Sequence, residues 1–372
     1  MNTTDRNPDG IGIQMEHSNL FSPPRYLRNP HMQTILNSQG PRKLRARRIL
    51  QRLSSRDLIL QADDGTRLKA ELDVAIGGRS ALVVLLHGWE GSSRSAYMVT
   101  TTGRLLARGF DVLRVNLRDH GDSHHLNREL FNSTRSPEVA SALQDFVDSH
   151  DYEHLFVAGF SLGASFALRI AADRGVPLGL DGVIAVCPPV DPARAMDALN
   201  QGFFVYERYF FSKWHQSLRR KLECFPDFDY ADDLAAAKSL DDLNRIFIPK
   251  HTIYDNVDDY FAAYALVGDR LSTLALPATL IAAADDPIIP VDDIGRIAAN
   301  ESLRIETYRY GGHCGFLENL SARSWVETRI VDIIEEALRR KPPAACQPVG
   351  QLPSADDARA GASDRRRGIV LR

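Results

Sequence analysis

Short apolar runs alternate with amphipathic segments along most of the chain. The run at 81–86 is continuously apolar and predicts a buried strand, because strands of a parallel sheet are covered on both faces. The same criteria predict strands at 56–60, 67–74, 81–86, 111–117, 154–158, 179–187, 277–284 and 303–309, and helices at 95–108, 137–149 and 161–173. This order predicts an α/β protein with a mostly parallel sheet, helices on both faces, and functional loops at the carboxyl ends of the strands.

The alternation stops between 191 and 268, where the sequence is helical in character and rich in aromatic residues. Because this segment is inserted between two predicted strands, we expect it to form a cap across the functional loops. Its aromatic residues allow two interpretations, an apolar underside that binds an acyl chain or a core internal to the cap. The predicted organisation is an N-terminal extension (1–55), the first part of the core (56–190), the cap (191–268), the second part of the core (269–340) and a disordered tail (341–372).

Residues 159–163 read Gly-Phe-Ser-Leu-Gly and directly follow the predicted strand at 154–158. This pattern is typical of a sharp strand-to-helix turn that projects the Ser161 hydroxyl, with glycines where bulky side chains would not fit. The helix that follows points its N-terminal amides toward any oxyanion formed there. Alone, the pattern also fits a packing turn with a solvated serine, so its context decides the interpretation.

A nucleophilic serine of this kind needs an acid and a base, which follow it in the chain order acid, then histidine. His313 lies in a glycine-rich loop after the last predicted strand, and it is the only histidine beyond residue 251. Asp285 and Asp286 both follow the strand at 277–284. We prefer Asp286 as the acid because its spacing to Pro290 matches the acid loop of the fold in which such serine turns occur.

An oxyanion hole requires the amide after the nucleophile and a second amide from a loop after an earlier strand. The strand at 81–86 ends in His-Gly-Trp-Glu-Gly-Ser. The predicted donors are therefore the backbone N–H groups of Trp89 and Leu162. We expect His87 to be structural, hydrogen-bonded beneath this loop, because the predicted triad already has its histidine downstream.

In combination, these motifs resemble the YheT-like branch of the α/β-hydrolase superfamily, which also contains the mammalian ABHD1/2/3-type proteins. The resemblance covers most of residues 25–340 and is carried by the segments at 29–35, 87–93, 159–163, 284–287 and 311–316. It implies an α/β-hydrolase fold, to which the inserted segment adds a helical cap, and a serine esterase or acylglycerol-lipase-like activity. Two departures are the loop at 118–123, where the family has a glycine-rich sequence, and the absence of the membrane-spanning N-terminus of the animal members.

The hypothesis that follows is a serine hydrolase that cleaves small acyl esters without a cofactor. The same triad also serves thioesters, amides and acyl transfer to alcohols, and the sequence leaves these open. The chain has 372 residues and a net charge of −3, which gives no overall attraction to nucleic acid. Without a signal-peptide pattern or a long apolar run, we expect a cytoplasmic protein. Its four cysteines are widely spaced, which favours reduced thiols over disulfides or zinc.

Two alternatives to this hypothesis remain. One is a metal-dependent hydrolase, because five potential ligands fall within seven residues: Asp119, His120, Asp122, His124 and His125. The other is a binding protein whose triad is vestigial, although nothing in the sequence indicates degeneration of the triad.

A basic run at 42–53 is interleaved with leucine and isoleucine. It allows peripheral contact with an anionic membrane surface, which would suit a lipid-like substrate. A solvated helix face is the other interpretation, and the sequence favours it.

Overall fold

The computed structural model describes residues 15–17 and 21–340. The predicted tail at 341–372 and most of the first twenty residues of the predicted N-terminal extension lie outside the described residues. In the described part of the chain, the strands are β1 (Met15–His17), β2 (Arg56–Gln61), β3 (Arg67–Asp73), β4 (Ala81–Leu86), β5 (Asp111–Val115), β6 (His154–Phe160), β7 (Gly182–Val186), β8 (Ala278–Ala283) and β9 (Leu303–Tyr308).

These strands form one sheet in the order β1-β9-β8-β7-β6-β4-β5-β3-β2. Neighbouring strands are parallel except at one edge, where β3 is antiparallel to both β2 and β5. The predicted mostly parallel sheet is therefore confirmed. The chain passes from β4 to β5 on one side and then crosses to β6 on the other, so the carboxyl ends of β4 and β6 border the switch point where ligands bind in such sheets.

Helices cover both faces of the sheet because its central strands are apolar on both sides. In β4, Leu82, Val84 and Leu86 pack on one face, whereas the alternate residues pack on the other. The first face is covered by α4 (Ser136–Asp148) and α5 (Leu162–Arg174). The second is covered by α3 (Ala96–Leu106) and by a C-terminal helix, α11 (Trp325–Arg340).

Between β7 and β8 the chain forms helices and no described strand, as the sequence predicts for 191–268. These helices are α6 (Pro192–Gln201), α7 (Phe204–Cys224), α8 (Ala231–Ala236), α9 (Leu240–His251) and α10 (Val257–Tyr264). Leu218, Tyr230 and Phe247 belong to an apolar cluster formed mainly by these helices. The inserted segment thus has a core of its own.

Before the sheet begins, α1 (Pro30–Ser38) and α2 (Pro41–Leu50) pack beside α3. Asn29 caps α1 by accepting a hydrogen bond from the Met32 N–H. The basic run forms α2, and one of its arginines, Arg42, is fully buried and ion-paired with Glu327 of α11 at 2.7 Å. Among the described residues, no helix combines the length and the apolar character needed to cross a membrane.

Candidate active site

The turn between β6 and α5 holds Ser161 in a conformation that ordinary residues rarely adopt, with φ at 53°. Its flanking glycines are required by close approach of the backbone. A Cβ atom at Gly159 would lie 2.2 Å from the carbonyl oxygen of Gly163, and one at Gly163 would lie 2.4 Å from that of Leu86. The strained turn presents the Ser161 hydroxyl at the carboxyl end of β6.

His313 and Asp286 complete a hydrogen-bonded chain with Ser161. His313 Nε2 lies 2.9 Å from Ser161 Oγ, and His313 Nδ1 lies 2.8 Å from Asp286 Oδ2. The other carboxylate oxygen of Asp286 accepts hydrogen bonds from the N–H groups of Ile288 and Ile289. The structure thus brings together the three residues that the sequence selected from different strands.

Asp285, the alternative acid, has a different position. Its Oδ1 accepts a hydrogen bond of 2.8 Å from the N–H of Gly312, so it supports the histidine loop and does not contact the imidazole. Of the two adjacent carboxylates, only Asp286 is placed to orient His313.

The electrostatic surroundings raise the pKa of His313 from 6.5 to about 9. Burial is the largest influence and acts to lower it, but the Asp286 charge, the Cys314 sulfur and the Asp286 hydrogen bond together outweigh burial. These surroundings therefore favour the protonated ring more than water does for free histidine. The neutral ring, which can accept the serine proton, becomes more populated as the pH rises.

Helix α1 positions the histidine loop. Thr34 Oγ1 accepts a hydrogen bond of 2.9 Å from the N–H of His313, and the buried Gln33 side chain bonds both backbone groups of Leu317. Gly312 has φ at 53°, and a Cβ atom there would lie 2.5 Å from the carbonyl oxygen of Pro30. The segment at 29–35, which carries part of the family resemblance, thus holds the loop of His313 in position. No local pattern in the sequence revealed that role.

The predicted oxyanion donors lie beside the serine. A Cβ atom at Gly88 would be only 3.1 Å from Ser161 Cβ, which places the Trp89 loop against the nucleophile. Within the described residues, the N–H groups of Trp89 and Leu162 have no hydrogen-bond acceptor. Two backbone donors are therefore available next to the hydroxyl that would attack a carbonyl carbon.

His87 lies beneath this loop, as the sequence predicts. Its Nδ1 donates to the carbonyl oxygen of Gly88 at 2.8 Å, and its Nε2 accepts from the N–H of Leu117 at 3.1 Å. Complete burial, reinforced by the neighbouring His120, lowers the pKa of His87 to about 3. The ring is neutral and links the loop after β4 to the loop after β5.

The five side chains of the alternative metal cluster are not gathered around one point. Asp119 is ion-paired with Lys221 of α7 at 2.6 Å, and Asp122 is ion-paired with Arg220 at 2.6 Å. The others have separate environments: His120 bonds the Arg118 carbonyl oxygen and the Glu90 N–H, His124 bonds Ser217, and His125 is exposed. In the part of the chain described, these residues do not bring three ligand atoms together.

A different group of potential metal ligands includes His313, the candidate catalytic base. One ligand atom each from Cys187, His313 and Cys314 lies within 4.8 Å of the others, and all three residues are buried. Cysteine sulfur and imidazole nitrogen suit soft metal ions such as zinc. However, Asp286 and Ser161 already occupy the two ring nitrogens of His313, so a metal here would displace one of them.

The serine and histidine open into a cavity of about 800 Å³ between the sheet and α1, α2 and α7. Tyr209 and Phe210 of α7 line the cavity. The Phe210 ring stacks on that of Trp89, with the ring centroids 5.1 Å apart. By contrast, Phe211 and Trp214 pack against the apolar cluster of the inserted helices. The aromatic residues of this segment therefore divide between the two predicted roles, cavity wall and internal core.

A strand-turn-helix serine at the carboxyl edge of a largely parallel sheet, with a histidine and an aspartate from later loops, defines the α/β-hydrolase class. The family model for the alpha/beta hydrolase fold matches residues 81–320, more than half of the chain, and the chain belongs to this family. The predicted fold class is confirmed. The narrower assignment to the YheT-like branch stays a prediction.

Named relatives are distant. Protein abhd-3.2 of Caenorhabditis elegans is 23% identical over 278 residues, which cover 72% of this chain and 74% of that protein. Medium-chain fatty acid ethyl ester synthase/esterase 2 of Saccharomyces cerevisiae is 23% identical over 279 residues, 68% of this chain and 61% of that protein. Among solved structures, an esterase of Pyrococcus furiosus superposes with a TM-score of 0.52 at 17% identity, covering 86% of this chain and 99% of that chain. The structural likeness establishes the fold.

Proposed function

We propose that the protein is a serine hydrolase that cleaves carboxylic esters through an acyl-enzyme on Ser161. The observation that carries the proposal is the hydrogen-bonded chain from Ser161 through His313 to Asp286, beside two backbone amides that have no acceptor among the described residues. Serine, imidazole and carboxylate in this order form the standard machinery of acyl transfer.

In the acylation step, Ser161 Oγ attacks the ester carbonyl carbon while His313 Nε2 takes the hydroxyl proton. The negative charge that develops on the carbonyl oxygen is stabilised by the N–H groups of Trp89 and Leu162. Asp286 keeps the Nδ1–H of the ring directed toward itself and stabilises the imidazolium. Collapse of the tetrahedral intermediate breaks the bond to the leaving alkoxide, which receives the proton from His313.

Deacylation repeats these roles with water as the nucleophile. His313 removes a proton from the water as it attacks the acyl carbon, and then returns the proton to Ser161 Oγ when the carboxylic acid leaves. The same geometry accepts an alcohol in place of water, which would produce a new ester. The name of the yeast relative, both synthase and esterase, makes that alternative worth measuring.

The cavity supports an acyl ester as the substrate class. It has the volume typical of sites for small organic ligands, and its wall combines aromatic residues from α7 with aliphatic residues from α1 and α2. Relatives named as an esterase and as a monoacylglycerol lipase agree with this chemistry. We further propose membership of the YheT-like branch, on the segments at 29–35 and 311–316, which contact each other across the base.

The test is labelling with a fluorophosphonate, which reacts with an activated serine. Wild type should carry one adduct, located on Ser161 by peptide mapping, and Ser161→Ala should carry none. Ser38→Ala is the matched control, because Ser38 also lines the cavity but makes no hydrogen bond to His313. It should label like wild type.

Each reaction is repeated after treatment with EDTA, together with turnover of an activated ester. Labelling and turnover that are insensitive to the chelator support the serine mechanism. Chelator-sensitive turnover without an adduct would instead favour the metal-dependent alternative at 119–125. A folded Ser161→Ala protein with wild-type turnover would refute the assignment of the nucleophile, and a protein with neither labelling nor turnover would favour a binding role.

A further inference from the structure

Helix α2 contributes one face to the wall of the cavity that contains Ser161 and His313. The lining residues of this helix are Lys43, Ala46, Arg47 and Leu50. Their spacing of three and four places them on the same side of a helix. The face therefore combines two apolar residues with two cations.

The two cations have no electrostatic partner of their own. Lys43 and Arg47 are exposed, and neither side chain forms an ion pair or a hydrogen bond with any residue in the described ranges 15–17 and 21–340. Arg42 of the same helix contrasts with them, because it is buried against Glu327. Two uncompensated positive charges thus border a cavity that is otherwise suited to an acyl ester.

Other charges on the cavity wall are largely neutralised. Three ion pairs account for most of them: Arg94 with Glu71, Asp119 with Lys221, and Asp122 with Arg220. Glu90 also lines the cavity, and burial raises its pKa to about 8, so that it is mostly uncharged at neutral pH. Lys213 of α7 also lines the cavity; its Nζ lies over the Tyr209 ring and forms no ion pair within the described residues. The cavity therefore has a positive bias to which α2 contributes two cations and α7 one.

Aliphatic residues lie next to these cations. Ile35 of α1 and Val99 of α3 line the same cavity as Ala46 and Leu50. An amphiphile with an acyl chain and an anionic group would satisfy both features, with the chain against aliphatic residues and the anion at the cations.

We propose that Lys43 and Arg47 form a subsite for an anionic group of the substrate, a phosphate or a carboxylate, so that the enzyme prefers anionic amphiphilic esters to neutral ones. This inference rests on the proposed ester hydrolysis and deepens it by naming the substrate class. It assigns to the basic run at 42–53 a role in specificity within the active-site cavity.

The test compares two short monomeric esters with the same scissile bond, 1-hexanoylglycerol 3-phosphate and 1-hexanoylglycerol. The ratio of their kcat/KM values measures the preference for the anion. Wild type should favour the phosphate ester. Lys43→Gln/Arg47→Gln removes both cations and should lower the ratio about tenfold, which corresponds to about 1.4 kcal/mol. The kcat/KM of a hexanoyl ester of glycerate is measured as well, to tell whether the subsite recognises a carboxylate or only a phosphate.

Arg48→Gln/Arg52→Gln is the matched control. Both arginines belong to the same basic segment and are exposed, but neither lines the cavity. This variant removes the same number of charges and should keep the wild-type ratio. Lys43→Arg/Arg47→Lys, which conserves both charges, should keep most of the preference, and added salt should reduce it in wild type.

A wild-type ratio near one, or an equal loss in the control variant, overturns the proposal while leaving ester hydrolysis intact. If neither ester is cleaved, the proposed function fails for this substrate class and the subsite is tested by binding alone. Calorimetry then measures hexyl phosphate with Ser161→Ala, alone and combined with the substitutions at Lys43 and Arg47. About tenfold weaker binding in the combined variant supports the subsite, whereas absent or unchanged binding refutes it.

Discussion

Replacement of Asp286 by asparagine tests the electrostatic coupling at the site most directly. The substitution keeps the size of the side chain but removes the charge that lies 2.8 Å from His313 Nδ1. It also permits the asparagine amide to donate to the ring, which would stabilise the wrong tautomer. Two consequences follow, a lower pKa for His313 and a slower reaction at every pH.

The size of the first effect follows from the local charges. A rise in the pKa of His313 from 6.5 to about 9 corresponds to roughly 3 kcal/mol of net stabilisation of the imidazolium. Two charges about 4 Å apart, at an effective dielectric constant of about 20, interact by about 4 kcal/mol, so the Asp286 charge is the largest of the contributions that together outweigh burial. Without the Asp286 charge, burial dominates, and the pKa of His313 should fall to 6.5 or below.

The sign of the pH effect is fixed by the role of the base. His313 acts only when neutral, so wild-type kcat/KM should increase with pH and reach half of its plateau near pH 9. In Asp286→Asn, the half-point should move to pH 6.5 or lower, while the plateau falls by about 10³ to 10⁴. The plateau falls because the neutral ring of His313 no longer keeps its proton on Nδ1, so that Nε2 is not free to accept the serine proton.

The assay measures kcat/KM for a neutral alkyl ester between pH 5 and 10, with the product quantified by chromatography. Glu90 has a pKa of about 8 and borders the oxyanion loop, so the profiles are recorded in a Glu90→Gln background to remove its ionisation. Asp285→Asn is the control, because its amide oxygen can still accept the Gly312 N–H. An unchanged half-point in Asp286→Asn, or an equal shift in Asp285→Asn, would refute the coupling.

Three further predictions concern the fold and its surroundings. Gly159→Ala should lower Tm by at least about 5 °C in calorimetry, because the added Cβ would overlap the backbone of Gly163. Gly295→Ala is the control: no atom lies within 4 Å of an added Cβ there, so the free energy of unfolding should change by less than about 0.5 kcal/mol. Thr34→Val should reduce kcat about tenfold by freeing the His313 loop, and Thr34→Ser should retain the rate; equal rates in both variants would contradict this role. Because the sequence favours a solvated helix face for the basic run, the protein should not co-sediment with phosphatidylglycerol or phosphatidylcholine vesicles at low salt; co-sedimentation with phosphatidylglycerol vesicles alone would instead support contact of α2 with an anionic membrane surface.

The sheet was predictable because its signals are local. The buried runs of β4, β6 and β8 are short, apolar and bounded by turn residues, and each lies within a residue or two of its predicted position. The antiparallel direction of β3 and the pairing of β1 with β9 depend on contacts between distant segments, which periodicity does not encode. Helix α11 was not predicted, although it is amphipathic and its buried residues form much of one face of the core.

The candidate site divides in the same way. Ser161, Asp286 and His313 were selected from turn motifs and chain order, since each follows a strand whose carboxyl end lies at the same edge of the sheet. The pair Cys187 and Cys314 was not expected, because the cysteines are widely spaced and only the juxtaposition of two strand ends brings them together. Their proximity required the three-dimensional arrangement, not a longer motif.

The loop at 119–125 shows why a cluster of potential ligands can mislead. Lys221, a buried lysine on α7, neutralises Asp119 and also donates to backbone carbonyl oxygens of this loop, so the aspartate joins the inserted helices to the core. A carboxylate held in this way is committed to an ion pair. The sequence places these residues far apart and gives no sign of the pairing.

Two histidines support the oxyanion loop: His87, which the sequence predicts to be structural, and His120, which the sequence offers as a metal ligand. His87 joins the Gly88 carbonyl oxygen to the Leu117 N–H, and His120 accepts from the Glu90 N–H while donating to a carbonyl oxygen. Each ring must donate at one nitrogen and accept at the other, which only neutral imidazole does. Burial lowers the pKa of His87 to about 3 and that of His120 to about 4, so both stay neutral wherever His313 loses its proton. Neither histidine therefore alters the loop that carries Trp89 across that pH range. Glu90, with a pKa of about 8, is the neighbour of Trp89 that does ionise there, and in the Glu90→Gln background the pH dependence of the rate reports the ionisation of His313.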